Sequence, residues 1–316
     1  MTTIRKARPE DVQGIADIFS VLYANDHGYT NADVVRGDIQ NPNITSFVAV
    51  EKNVVVGHGQ LRPPEYDFAK HENDGVEIAR LGVDGRYQNK GICKRIVEAL
   101  NDFVKLESYG FVFADFNTAT DYSQRAMSVI GLTPVALLLE YSPDFAKIGQ
   151  ANSFLLGMKI NEEQDKAVVY VPEEHRKLAE LVYSNLGLKR KIREKAGNGK
   201  PMLDFELKIA GYVFDSQKAI ENQGYNPNVM AIDLSQPSAL EKVQIAQGSG
   251  LVVEGLVPLV REQDGTRQDK LVMGYLPNLD LSKVKVSQGS NEQLARIILE
   301  SHQALELTKP ENQPTQ

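Results

Sequence analysis

Two neighbouring stretches of this 316-residue chain carry residue types that could do chemistry. The first is Val76-Glu77-Ile78-Ala79-Arg80-Leu81-Gly82-Val83, in which one carboxylate, Glu77, stands on the face opposite Val76 and Ile78. Apolar residues alternate at 76 and 78, then at 81 and 83, so the period-2 pattern slips by one residue in between. One extra residue is what a β-bulge inserts, and a bulge splays strands and re-aims side chains so that a ligand can enter. A strand buried on both faces needs no strict alternation, and the pattern alone leaves both readings open. The second stretch is Gln88-Asn89-Lys90-Gly91-Ile92-Cys93, a loop leading into a helix. A helix start leaves backbone N–H groups unpaired and carries partial positive charge. It therefore holds phosphate well, and a glycine lets the backbone come close. Lys90 adds charge there, although a lone glycine before a helix is most often only a turn residue.

Other candidates are weaker. His58, Gln60 and Arg62 alternate on one strand face and fit either a pocket lining or an ordinary exposed face. Tyr23, Asp26, His27 and Tyr29 form a polar cluster after the first helix. Cys93 is the one cysteine, which excludes an internal disulfide and a cysteine-based zinc site. The five histidines are scattered without metal-ligand spacing, so no metal is expected. The net charge is −7, and the run Lys189–Lys195, interrupted by Glu194, reads as a solvated helical face, so no nucleic-acid partner is expected. The N-terminus lacks the apolar core of a signal peptide. No run of about 18 apolar residues offers a membrane span. A cytoplasmic protein is the expectation.

The elements that must position these residues follow from periodicity. Ile4–Ala7 reads as a strand, and Pro9-Glu10-Asp11 opens a helix with Val12, Ile15, Phe19 and Leu22 inward. Phe47–Val50 and Val54–Leu61 read as a hairpin, then come the 76–83 strand, the loop and a helix striped by Ile92, Ile96, Leu100, Phe103 and Val104. Gly110–Phe116 is a strand, Ser123–Ile130 a helix, and Val135–Tyr141 and Ser153–Ile160 are strands. The fold class is α/β (α+β) with a mixed sheet.

A boundary is placed in polar Asn161–Lys166, giving units at 1–162 and 163–307 and a disordered tail at 308–316. In the second unit, strands are expected at Ala167–Val171, Val229–Leu234, Val252–Val260 and Lys270–Leu276, with extended segments at Met202–Ile209 and Gly211–Phe214. Helices are expected after Pro172, at Ser238–Gln247 and at Glu292–Leu305. Pro172-Glu173-Glu174 answers Pro9-Glu10-Asp11, and Gly250-Leu251 answers Gly131-Leu132, in an order that suggests a degenerate duplication.

Val83 to Cys93, with Gln88, Gly91 and Cys93 at the spaced positions, resembles the GNAT superfamily signature Gln/Arg-x-x-Gly-x-Gly/Ala in its usual place. Gly57, Gly131-Leu132 and the paired final strands agree, and the resemblance covers about residues 3–160. It implies a GNAT fold in the first unit and a degenerate GNAT-like second unit, an arrangement similar to a subgroup of bacterial two-domain proteins. It also implies an acyl-CoA-dependent N-acyltransferase using acetyl-CoA or a related donor. The acceptor would be an amine of a small molecule or peptide, and the protein a monomer or homodimer.

By the same resemblance, the amides of Gln88, Asn89, Lys90, Gly91, Ile92 and Cys93 would hold the CoA pyrophosphate, and the backbone of Leu81, Gly82 and Val83 the pantetheine arm. Ser123 stands beside that arm, and the cluster around Tyr23–Tyr29 falls where the family contacts the acceptor. Glu77 matches a position where some members carry the general base that an ammonium needs before it can attack a thioester. Cys93 departs from the Gly/Ala of the signature and reads as a small packed side chain. The usual general-acid tyrosine position holds Met127, which cannot protonate a thiolate, and Tyr122 is the nearby substitute. Gly197-Asn198-Gly199-Lys200 reads as a turn, so one CoA site is expected, in the first unit. A non-catalytic acyl-CoA-binding regulator is the alternative.

Overall fold

A computed structural model describes residues 2–22, 29–64, 75–107, 109–119, 122–142, 152–161, 166–194, 229–261, 267–275 and 280–308, with Lys208 and Lys218 as isolated positions. The first half contains strands β1 (Thr3–Lys6), β2 (Thr45–Glu51), β3 (Val54–Arg62), β4 (Gly75–Val83), β5 (Phe111–Asn117), β6 (Thr133–Ser142) and β7 (Asn152–Ile160). Its helices are α1 (Val12–Leu22), α2 (Ala32–Gln40), α3 (Ile92–Glu107) and α4 (Tyr122–Ser128). The second half contains β8 (Ala167–Tyr170), β9 (Arg190–Arg193), β10 (Met230–Asp233), β11 (Leu251–Arg261) and β12 (Arg267–Tyr275). Its helices are α5 (Arg176–Leu186), α6 (Ala239–Gly248) and α7 (Ser290–Thr308).

The fold is the expected mixed α/β arrangement. A ten-stranded sheet runs β1-β2-β3-β4-β5-β7-β6-β11-β12-β10, and β8 pairs with β9 in a separate parallel ribbon. On one face lies α3, whose buried stripe of Ile92, Ile96, Val97, Leu100 and Val104 recurs at helical spacing. It seats closely because Gly57 and Gly59 lack side chains: a Cβ on Gly59 would stand 2.8 Å from Ile96. Each such fully buried aliphatic side chain contributes about 1.5–3 kcal/mol. On the opposite face lies α1, with Phe19 against Gly82.

The sheet continues from one half of the chain into the other. β6 pairs antiparallel with β11 at Ala136 and Gly255. About that seam the strand order is palindromic, β5-β7-β6 meeting β11-β12-β10. In each half a helix, α4 or α6, precedes the seam strand, and a left-handed glycine, Gly131 (φ +81°) or Gly250 (φ +91°), leads into it. Residues 162–165 of the expected boundary lie outside the described residues, as do the Gly197–Lys200 turn, the expected extended segment 211–214 and all of the expected extended segment 202–209 but Lys208, which is helical. Of the expected tail, Thr308 ends α7 and 309–316 lie outside the described residues.

Two elements differ from the sequence expectation. Lys189–Lys195 was expected to present a helical face; instead Arg190–Arg193 is β9, parallel to β8. Arg190 is buried there against Asp269 at 2.7 Å, so the residue that looked solvated is an internal tie. The helix α2 was not anticipated, because Val35 is its one fully buried residue and gives no readable stripe. It starts at Asn31, whose side chain accepts the Asp33 N–H.

Candidate active site

The slip in hydrophobic period is a real bulge. Across β3 and β4, His58 faces Gly82 and Gln60 faces Ala79, so Arg80 and Leu81 together oppose Gly59. Arg80 takes φ +51°, a conformation that costs a non-glycine residue of order 1 kcal/mol and persists only where its surroundings enforce it. Here its carbonyl accepts a hydrogen bond from His58 Nδ1 at 2.9 Å, and its guanidinium lies 4.8 Å from the Tyr29 ring centroid.

Beyond the bulge the sheet opens. The parallel pairing of β4 with β5 runs from Gly75↔Phe111 to Ile78↔Ala114 and stops, although β4 continues to Val83 and β5 to Asn117. The edge of Leu81-Gly82-Val83 facing β5 thus has no strand register with it. A buried strand edge needs hydrogen-bond partners, and an extended amide-bearing chain is a natural one.

The glycine loop sits at the end of that opening. Gln88 Nε2 reaches back to the Val83 carbonyl at 3.4 Å. Asn89 (φ +61°) and Gly91 (φ +71°) both turn through the left-handed region, and Gly91 accepts the Arg95 N–H that begins α3. A Cβ placed on Gly91 would meet nothing within 4 Å, so there is room over the first turn of the helix. Lys90 Nζ lies 4.7 Å from the Tyr87 ring centroid. Ile92 is buried, so only its backbone can face a ligand. Cys93 is half-buried and packs on the core, and burial pushes its thiol up to about 11.

Under α1, the other face of β3 and β4 carries a polar row. Glu77 and Arg62 are directly opposite in the register, with Arg62 Nη2 donating to Glu77 Oε1 at 3.0 Å. Glu77 has 0 % exposure, so it is not the solvent-facing strand glutamate that a period-2 pattern predicts by default. Next in the row, Tyr29 donates to Gln60 Oε1 at 2.5 Å. His58 follows, its Nε2 3.5 Å from the Tyr29 hydroxyl. Because a carbonyl can only accept, His58 Nδ1 carries the hydrogen toward Arg80. Burial lowers His58 to about 4, which keeps it neutral at physiological pH. Burial raises Tyr29 far above the ordinary tyrosine range.

The row is therefore not an exposed face: His58 and Gln60 are buried with Tyr29, and Arg62, half-buried, pairs with Glu77. Of the other members of the polar cluster, Tyr23, Asp26 and His27 lie outside the described residues. Tyr122 opens α4 with 69 % exposure, and Ser123 beside it is half-buried. The Arg62–Glu77 pair was not anticipated as a pair. Nothing in the sequence aligns the two charges; only the β3/β4 register does.

A model of the acetyltransferase (GNAT) family matches residues 12–130, which span α1 through α4 and contain both the bulge and the glycine loop. This is a GNAT acetyltransferase domain. The chain therefore carries the domain of an acyltransferase. No curated protein sequence matches it. Among solved structures it is similar to an N-acetyltransferase from Staphylococcus aureus Mu50, with 17% identity, 50% of this chain and 97% of that one covered, and a TM-score of 0.43. It is also similar to yncA of Salmonella typhimurium, solved with its cofactor acetyl-CoA, at 18% identity, 52% and 96% coverage and a TM-score of 0.45. A third is the ribosomal-protein-S18-alanine N-acetyltransferase of Escherichia coli, at 12% identity, 52% and 97% coverage and a TM-score of 0.43. Within the GNAT domain of this chain, no group of His, Cys, Asp and Glu among the described residues could hold a metal ion.

Proposed function

We propose that the first half of the chain binds acetyl-CoA, or a related acyl-CoA, and transfers the acyl group directly to an amine of a small molecule or peptide. The observation that carries this reading is the continuity of the opened β4/β5 edge with the Gln88–Gly91 loop at the start of α3. The loop amides of 88–93 would hold the pyrophosphate against the helix's positive end. The edge of Leu81, Gly82 and Val83 would pair with the amides of the pantetheine arm, with Ser123 beside it. In the transfer, an amine nitrogen bonds to the thioester carbonyl carbon and the carbon–sulfur bond breaks. Glu77, directly or through a water, would take the proton that the ammonium must lose. The thiolate would be protonated by solvent or by Tyr122, whose exposure suits either.

The second half is read as a degenerate GNAT-like unit without a CoA site. Its palindromic strand order about the β6/β11 seam supports that reading. A cytoplasmic monomer or homodimer is the setting proposed with it.

One observation favours a second reading, a non-catalytic acyl-CoA-binding regulator. Glu77 is fully buried and engaged by Arg62, and the nearest tyrosine to the family's general-acid position is largely exposed. Titration calorimetry with acetyl-CoA tests the site. Gly91→Asp, which puts bulk and negative charge where the pyrophosphate would sit, is expected to abolish binding; unchanged affinity would rule the site out. Thiol release over a panel of primary amines then separates the readings: tight binding with no turnover on any amine leaves the regulator.

A further inference from the structure

The second half of the chain reaches the first at a point beside the opened strands. Residues 284–287, between the short helical turn Leu281–Lys283 and α7, lie across the end of β5 and the start of α4. Lys285 N–H donates to the Thr118 carbonyl at 2.7 Å. The Lys285 carbonyl accepts from Gln124 Nε2 at 2.9 Å, and Ser287 N–H donates to Gln124 Oε1 at 2.9 Å. Both ends of one side-chain amide thus replace a strand partner for a segment whose Val284 and Val286 pack on the core. Ser287 Oγ in turn accepts from Asn291 of α7 at 2.7 Å, and α7 lies on β6 and β11.

These bonds hold the end of β5 at Thr118 and the first turn of α4, which carries Tyr122 and Ser123, at Gln124. Thr118 is tied from the other side as well, its N–H and hydroxyl both donating to the Ser153 carbonyl. Gln124 has 1 % exposure although it neighbours the exposed Tyr122. A buried amide with both ends bonded fixes its surroundings, since losing either bond leaves a polar group buried without its partner.

We propose that Gln124 is a positioning residue for the acyl-CoA arm, through which the 284–287 strap of the second half holds the first helical turn of α4, with Tyr122 and Ser123, beside the opened β4/β5 edge. This rests on the acyl-CoA site proposed above. The second half then contributes to the site without owning one: it clamps one wall of the arm's channel and leaves the pyrophosphate loop alone.

The test uses the full chain and two ligands. Acetyl-CoA engages loop and arm, whereas adenosine 3′,5′-bisphosphate has no pantetheine and engages the loop end alone. Gln124→Leu is expected to weaken acetyl-CoA about tenfold while leaving the bisphosphate within about twofold. Lys285→Ala, which keeps the backbone bonds, is expected to change neither. Equal weakening of both ligands by Gln124→Leu would assign Gln124 a merely structural role and overturn the proposal, as would an unchanged acetyl-CoA affinity. Should Gln124→Leu fail to fold, Gln124→Glu keeps the shape and the Ser287 bond, loses the Lys285 bond, and is read by the same ligand split. Gly91→Asp is run alongside: if it spares both ligands, the acyl-CoA site itself is wrong, a failure distinguishable from loss of the Gln124 effect alone.

Discussion

Ala136 and Gly255 face each other across the seam between β6 and β11, and each stands five positions after a left-handed glycine, Gly131 or Gly250. Matching positions of the two halves thus meet where the palindrome folds back on itself. Gly255 is required there: a Cβ on it would lie 2.2 Å from Ala136 Cα, a backbone atom that cannot turn away. Gly255→Ala is expected to destabilise at or above the upper end of the roughly 1–3 kcal/mol typical of overpacking, read as a lower Tm. Gly37→Ala is the contrast, since Gly37 is exposed within α2 and a Cβ there meets nothing within 4 Å. It should gain about 0.5–1 kcal/mol. Equal effects at both positions would refute the close approach at the seam.

Glu77 and Arg62 allow structure and chemistry to be separated. Glu77→Gln is expected to lower turnover at least about 100-fold with acetyl-CoA affinity unchanged. It should also lower Tm, because a buried ion pair then keeps only one of its charges, a change that can cost up to about 3–5 kcal/mol. Adding Arg62→Met takes away the second charge as well and should recover part of the stability but none of the turnover. Recovery of turnover in the double variant would exclude Glu77 as the base.

Glu254 is the extra residue of the β11 bulge, and its carboxyl, fully buried, accepts the Leu139 N–H through Oε1 at 3.1 Å. Burial raises it from 4.5 to about 8. Below pH 4.5 the group is neutral folded and unfolded, and adds no pH-dependent cost. As pH rises toward 8 the unfolded chain ionises while the folded one keeps its proton, so stability falls by about 1.4 kcal/mol per unit and then levels. Glu254→Gln should remove that slope, leaving Tm near wild type at pH 5 and above it at pH 8.5. Parallel Tm profiles for the two proteins would show that Glu254 does not titrate in this window.

Cys93 lies in the loop yet is chemically quiet. With its thiol near 11, roughly one molecule in a few thousand is thiolate at pH 7.5. Iodoacetamide should label it slowly in the native protein and quickly after unfolding, and Cys93→Ala should keep acetyl-CoA affinity. Rapid native labelling would point to a reactive thiol instead of a packed one.

Local sequence determined much of the first half. The slip between Ile78 and Leu81 marked the bulge, because side chains alternate strictly in a strand and one extra residue must break the alternation. Gly91 marked the loop, because a turn into a helix through φ > 0 favours glycine. The stripe of α3 and the paired β6 and β7 were legible for the same reason: their signal repeats within a few residues. What the sequence could not decide depends on register between distant strands. Whether Glu77 meets Arg62 or water is set by how β3 aligns on β4, 15 residues apart in sequence. The same holds for Arg190, which local charge placed in solvent and the fold placed on Asp269, and for Gln124, whose partners lie 161 and 163 residues away. Burial of a polar group is decided by what the rest of the chain brings to it, and only the tertiary structure supplies those partners.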